Sequence, residues 1–220
     1  MKKYGFIYRN SLSLCFLLLM IMSLFGQMYT GWKEHNDLLE QYGKATQVFS
    51  RYLYSGHFIQ ATFENWESEF FQMALFVLLT IHLKQQGSSE SNPLDGVPED
   101  KKDECTPIPG SPRAVRKGGI YLAFYKYSLT LSLVFLFIVS FVLHWYGSWL
   151  DFNEQQWLQG KSAESFLAYL PNHKFWFESF QNWQSEFLSI LAIVFLSIYL
   201  RQKGSSQSKP VNASHDKTGE

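Results

Sequence analysis

Residues 63–70 read Phe-Glu-Asn-Trp-Glu-Ser-Glu-Phe, and residues 180–187 read Phe-Gln-Asn-Trp-Gln-Ser-Glu-Phe, the same pattern 117 positions later (63 to 180). Each copy opens an apolar run that ends near a basic residue and is followed by Gly-Ser-Ser. Upstream, Tyr8-Arg9 recurs as Tyr125-Lys126 at the same offset and without a gap. An ungapped repeat that includes the loops indicates a duplicated structural unit.

The apolar residues lie in four blocks, so the near-neutral mean hydropathy of −0.12 hides their concentration. Residues 10–32 carry no charge, and residues 127–150 contain no Asp, Glu, Lys or Arg. Each stretch is long enough for a spanning helix, which needs about 20 residues. A basic start before an apolar core also fits a cleavable signal peptide, the alternative for the first block. Because the internal copy cannot be a signal peptide, the repeat favours a retained first span.

The second and fourth blocks, 70–83 and 187–200, are short for a span. Extending the second block back to Trp66 gives roughly 27 Å of helix and puts Glu67 and Glu69 near the headgroup layer. Helix starts are predicted at Ser55 or Gly56 and at Asn172, with ends near Gly87 and Gly204. The predicted fold is all-α and polytopic, with four transmembrane helices in two tandem hairpins, at about 10–31, 64–84, 127–148 and 181–201.

These spans divide the chain into a first hairpin (1–91), a flexible linker (92–117), a second hairpin (118–204) and a disordered tail (205–220). The connection inside each hairpin is predicted to form short helical pieces at the membrane surface. Of the 19 Lys and Arg residues, fourteen lie before the first span, in 84–126 or in the tail. The positive-inside rule therefore predicts a multi-pass protein of the cytoplasmic membrane, with both termini and the linker in the cytoplasm. Both hairpins would then insert in the same sense.

A polar face is predicted at the outer end of the bundle. Asn65, Ser68 and Glu69 lie on one helical face, as do Asn182, Ser185 and Glu186 in the other copy. Gln27 and His144 fall at the same depth. Carboxylates in a bilayer usually face water or the bundle interior, which suggests a cation or proton site at Glu69 and Glu186. The alternative is ordinary hydrogen bonding between helices, with both glutamates reaching headgroup water.

The tryptophans at the block ends are typical of interfacial anchors, and these are Trp32, Trp66, Trp149 and Trp183. Neither Cys15 nor Cys105 has metal-ligand spacing, so no metal and no cofactor is expected. The sequence lacks a nucleophile–base set, a P-loop and a Gly-rich nucleotide fingerprint, so an enzyme is not expected. The net charge of zero gives no reason to expect nucleic-acid binding.

Long motifs carry a resemblance that covers the whole chain. They are Gly31-Trp32, Tyr52-Leu53, Gly56-His57-Phe58, the repeated octapeptide in both copies with the stretch from Phe175 that precedes the second one, and Arg201-Gln202-Lys203-Gly204-Ser205. On these residues the chain resembles a bacterial family of four-span membrane proteins, a domain of unknown function. The resemblance implies an integral protein of the bacterial plasma membrane and brings no activity with it.

Two functional classes follow. The first is a structural or interaction protein of the membrane, whose partners are the lipid bilayer and a second copy of the chain or another membrane protein. The alternative is a small transporter or channel that uses the outer carboxylates. The apolar inner halves, 76–79 and 193–196, favour the first class because they offer no polar path.

Overall fold

The computed structural model describes residues 5–94 and 105–219, and within them every regular element is a helix. This confirms the all-α prediction. Lys2, Lys3 and the middle of the predicted linker, 95–104, lie outside the described residues. The helices are α1 (Phe6–Arg9), α2 (Ser11–Gln41), α3 (Phe49–Tyr52), α4 (Gly56–His82), α5 (Arg113–Lys117), α6 (Gly119–Lys126), α7 (Ser128–Leu158), α8 (Phe166–Tyr169) and α9 (His173–Tyr199).

The helices α2 and α7, each of 31 residues, are the two in the described chain that are long and apolar enough to cross a bilayer. Their apolar halves are largely exposed, with Leu12, Phe16 and Phe135 each more than 60% accessible. Exposed apolar surface of this extent indicates membrane association. Both helices continue about ten residues past the predicted span ends, roughly 15 Å at 1.5 Å per residue.

Both long helices end in the same way. Gly43 follows α2 with φ +65° and Gly160 follows α7 with φ +68°, a left-handed conformation that favours glycine. The Gly43 amide donates to the Glu40 carbonyl and the Lys44 amide to the Leu39 carbonyl, which is a Schellman motif. Gly160 and Lys161 make the equivalent bonds. The repeated Gly-Lys pair therefore stops each long helix at the same position of its copy.

The helices α4 and α9 each have 27 residues, about 40 Å. The predicted start at Gly56 is confirmed, and the Ser55 hydroxyl caps the helix by accepting the Phe58 amide at 3.2 Å. Both helices end before the glycines predicted to stop them, at His82 and Tyr199. Their first halves carry charged and amide side chains, so neither has the composition of α2 and α7.

The described residues of 1–63 and 143–172 form one compact unit, called unit one here. It contains the connections of both hairpins, and each is held by the same clasp. The Trp32 indole and the Asn36 amide both donate to the Gln47 carbonyl, at 2.7 and 3.0 Å. The Gln47 amide donates back to the Asn36 side chain at 2.8 Å. Equivalent bonds join Trp149, Asn153 and Glu164.

Within unit one, α4 and α7 approach at two glycines. A Cβ on Gly56 would collide with the backbone at Leu150 and Asp151, and one on Gly147 would lie 2.9 Å from the Gln60 Cα. Contacts that short are not sustained by real side chains. The start of α4 therefore packs against the backbone of α7, which requires glycine at both positions.

The described residues of 64–142 and 173–219 form unit two. Its apolar centre is aromatic, because the Phe71 ring lies 4.6 Å from the Trp183 ring and 5.0 Å from the Phe137 ring. The predicted disordered tail stays a prediction, but its residues make turns with specific contacts. The Lys209 ammonium donates to three backbone carbonyls, and the Gly219 amide donates to the Ser88 carbonyl.

Candidate functional site

The predicted carboxylates meet in unit two. The Glu69 and Glu186 side chains are neighbours in unit two, with Glu69 exposed and Glu186 half-buried. Two adjacent negative charges repel each other, so neighbouring carboxyl groups can share a proton or a cation. The pair is therefore a candidate proton or cation site.

Two further bonds join α4 and α9 just before this pair. The Asn182 amide donates to the Glu64 carboxylate. The Trp183 indole donates to the Glu67 carboxylate at 3.0 Å, and the Glu67 side chain is fully buried. A buried carboxylate without a hydrogen-bond donor would cost several kcal/mol of stability. The bond from the Trp183 indole offsets part of that cost at Glu67.

These contacts fix the register of α4 against α9. Position 69 contacts position 186, which is its own repeat equivalent, while 64 contacts 182 and 67 contacts 183. The two helices thus run parallel with equivalent residues level.

A second polar cluster lies in unit one, around two histidines. The His57 Nδ1 lies 3.1 Å from the Tyr52 hydroxyl, and its Nε2 lies 3.0 Å from the Glu34 carboxylate. The His57 ring is 5.4 Å from the His35 ring. The first copy makes room for this arrangement with Gly31, where a Cβ would collide with the Tyr52 hydroxyl. In the second copy Ser148 stands at this position and bonds Tyr169 at 2.7 Å.

His35 is the most constrained member of the cluster. Its side chain is 2% exposed, and neither ring nitrogen has a hydrogen-bond partner. The His35 Nε2 lies 3.7 Å from the Glu154 carboxylate, which also accepts a hydrogen bond from the Gln47 side-chain amide at 3.4 Å. A proton on His35 would convert the first of these contacts into a buried ion pair.

Burial governs the ionisation of this cluster, whose residues lie beyond the apolar segments 10–31 and 127–148. It lowers the pKa of His35 below 6.5, with help from His57 and against the pull of Asp151 and Glu34. Burial raises the pKa of Glu154, and Asp151 raises it further. Burial, Glu34 and Asp151 raise the pKa of Tyr52 to about 12. The cluster therefore favours the neutral forms of its buried members.

Comparison with protein families gives one match, a domain of unknown function, DUF6766, over residues 3–220. The chain belongs to this family. The match confirms the resemblance drawn from the repeated octapeptide. Comparison of this DUF6766 chain with curated proteins and with solved structures gives no match.

The other predicted polar residues of the DUF6766 chain make contacts of their own. The Gln27 side-chain amide donates to the Thr62 hydroxyl at 3.3 Å in unit one, where His144 is fully buried in α7. In unit two, the Ser68 and Ser185 hydroxyls each donate to the backbone carbonyl three residues earlier, of Asn65 and Asn182. These two hydroxyls therefore bond within their own helices.

The predicted anchors also have local roles. The indoles of Trp32, Trp149 and Trp183 donate hydrogen bonds within the protein. Trp66 is 39% exposed. Their position at a membrane interface stays a prediction, and their bonds show that they also fix loop and helix geometry.

Sequence reasoning missed Glu64 and Glu67, whose carboxylates accept hydrogen bonds from α9. One signal was present, since these are the two octapeptide positions where the first copy has Glu and the second has Gln. The histidine cluster had no comparable signal. His35 and His57 are replaced by Phe152 and Lys174 in the second copy, and their contact depends on the packing of distant segments.

Proposed function

We propose that the chain is a four-span membrane protein in which α4 and α9 cross the bilayer beside α2 and α7. Helices of about 40 Å exceed the roughly 30 Å hydrocarbon core. Their second halves also expose apolar side chains, among them Leu78, Leu79, Leu191 and Phe195. Their parallel register supports insertion of both hairpins in the same sense. Both termini would then be cytoplasmic, and the connection inside each hairpin would lie outside.

The two native cysteines allow a direct test of this topology. After Cys15→Ser, Cys105 is the single exposed thiol, and Thr46→Cys with Cys105→Ser moves it to the first hairpin connection. A membrane-impermeant maleimide should label Thr46→Cys in intact cells and Cys105 only after permeabilisation. Labelling of Cys105 in intact cells would show that the four-span arrangement is wrong.

The role that unit one supports best is a structural or interaction protein. It buries polar side chains such as His35, Thr62 and Asp151, while Tyr54 and Leu167 are 82% and 75% exposed. We propose that another chain covers these exposed side chains, because contact with a partner would remove their apolar surface from water. A second copy of this chain is the partner we expect.

Photo-crosslinking in native membranes tests this role. A photoreactive residue at Tyr54 or Leu167 should give a discrete band at twice the chain mass of 25.7 kDa. The same residue at Leu191, in the apolar half of α9, serves as a control that should remain monomeric. A band at another mass would identify a different partner, and no crosslink from either position would contradict the interaction role.

The carboxyl pair supports a second candidate, a proton site of a small transporter. A shared proton between Glu69 and Glu186 would be exchanged when the pair opens to water. Glu69→Gln with Glu186→Gln replaces both acids by near-isosteric amides that can still hydrogen bond. We expect the doubly substituted chain to fold normally and to lose proton transport.

The measurement is proton uptake by the purified chain in vesicles that carry an internal pH dye, under an imposed potential. Glu90→Gln, at the chain segment after α4, is the control that removes a carboxyl outside the pair. Wild-type vesicles that stay as tight to protons as empty ones would exclude this candidate. A leak that survives the double substitution would exclude the carboxyl pair.

A further inference from the structure

Two short helices, α5 and α6, precede the apolar helix α7 and differ in composition from the rest of the chain. Residues 105–150 contain no Asp or Glu, but they contain Arg113, Arg116, Lys117 and Lys126. Three of these cations, Arg113, Arg116 and Lys117, lie in α5, and all three are exposed. This is the longest acid-free stretch of the chain, and its polar end is wholly cationic.

The helix α6 exposes large apolar and aromatic side chains in place of charges. Ile120, Tyr121, Phe124 and Tyr125 are each between 47% and 67% exposed. The Lys117 ammonium lies 4.6 Å from the centre of the Tyr121 ring, so cation and aromatic surface are continuous. Tyrosine and phenylalanine beside lysine are typical of a helix that lies in the headgroup region.

The backbone separates α6 from α7 just before the apolar run. Tyr127 has φ −109° and ψ 10°, which departs from helical values, and the Ser128 hydroxyl donates to the Tyr125 carbonyl at 2.8 Å. The first copy breaks at the equivalent Asn10, with φ −121° and ψ 17°, where the Asn10 amide donates to the Phe6 carbonyl. The break is therefore a repeated feature, and because of it α6 does not continue α7 as one helix.

We propose that α5 and α6 form a surface that binds anionic phospholipid, with the α5 cations on the headgroup phosphates and the α6 aromatics in the interface. The inference rests on the proposed membrane insertion of α7. That insertion brings α6 within two residues of the bilayer, so lipid phosphate is the anion at the highest local concentration. A soluble acidic partner would account for the cations but not for the adjoining exposed apolar face.

Each exposed cation near an anionic surface contributes about fivefold to binding. The triple variant Arg113→Gln, Arg116→Gln and Lys117→Gln should therefore lose on the order of 100-fold in preference for anionic over zwitterionic lipid. The matched control is Lys33→Gln, Lys44→Gln and Lys161→Gln, which removes three cations from unit one. The control should keep the wild-type preference.

Native mass spectrometry of the full chain measures this preference, with phosphatidylglycerol and phosphatidylcholine added at equal concentration. We expect retained phosphatidylglycerol on wild type and control, lost on the α5 variant and reduced by salt. Inorganic phosphate should not compete, and competition would indicate a soluble phosphate ligand instead. An unchanged preference in the α5 variant would overturn the inference.

The same samples separate this result from failure of the proposed function. If carbonate washing extracts the wild-type chain from membranes, the four-span proposal fails and takes this inference with it. If the chain resists extraction while the α5 variant keeps the wild-type lipid preference, only the lipid surface is wrong.

Discussion

Replacing Gly147 by leucine is expected to lower the midpoint of thermal unfolding by roughly 6–12 °C, from about 3 kcal/mol of lost stability. A Cβ at this position would lie 2.8 Å from the Ile59 side chain and 2.9 Å from the Gln60 Cα. Backbone cannot move aside as a flexible side chain does, so α4 and α7 must separate. Tryptophan fluorescence of the detergent-solubilised chain during heating measures the change.

The matched control is Gly26→Leu, in α2. A Cβ at Gly26 meets nothing within 4 Å, so the same substitution should leave the midpoint within about 2 °C. Gly147→Ala is a milder variant, because it adds the Cβ alone. Equal midpoints for Gly147→Leu and Gly26→Leu would mean that α4 and α7 do not pack this closely.

Acidification from pH 7.5 to 5.5 should destabilise the wild-type chain, and His35→Phe should remove most of that loss. Burial holds the pKa of His35 in the folded chain below its ordinary value of 6.5. Between these two pKa values, His35 is therefore protonated in the unfolded chain and neutral in the folded chain. Stability is therefore full above the unfolded pKa and falls as pH drops through 6.5 towards the folded value. One such proton changes stability by at most about 1.4 kcal/mol per pH unit, or about 3–6 °C.

Phenylalanine is the natural choice for this variant, because Phe152 occupies the equivalent position and packs on Tyr169 at 5.0 Å. Glu154 acts in the opposite direction, since its raised pKa adds stability as pH falls towards 4.5. Comparing the two proteins at each pH removes most of this shared contribution. His173→Gln, at an exposed histidine, should keep the wild-type slope. Parallel profiles for wild type and His35→Phe would show that His35 titrates normally.

Much of the fold could be predicted from the sequence because its signals are local or repeated. Apolar runs predict α2 and α7, and Ser55 or Gly56 predicts the start of α4. The connections were harder to predict, because polar residues after position 31 suggested surface pieces. In the structure, α2 continues to Gln41, since a polar stretch can extend a helix when Trp32 and Asn36 clasp the following loop.

The candidate site was predicted in part for a similar reason. Helical spacing and equal depth predict that Glu69 and Glu186 lie near each other, and in the structure they are neighbours, while their role as a site stays a prediction. Spacing could not show that Glu67 would turn to the Trp183 indole, because that depends on the rotation of α4 against α9. The contact of His35 with His57 depends on how α2 meets the start of α4, which no local pattern records.

The contacts of α4 with α9 also bear on the history of the two copies. Glu64 and Glu67 accept bonds from Asn182 and Trp183, while the second copy has Gln181 and Gln184 in their places. Two first halves brought together would crowd four of these carboxylates in place of two, and two second halves would lack these acceptors altogether. The two halves are therefore complementary. If the chain were cut within the linker, the first half should associate with the second half in preference to another copy of itself.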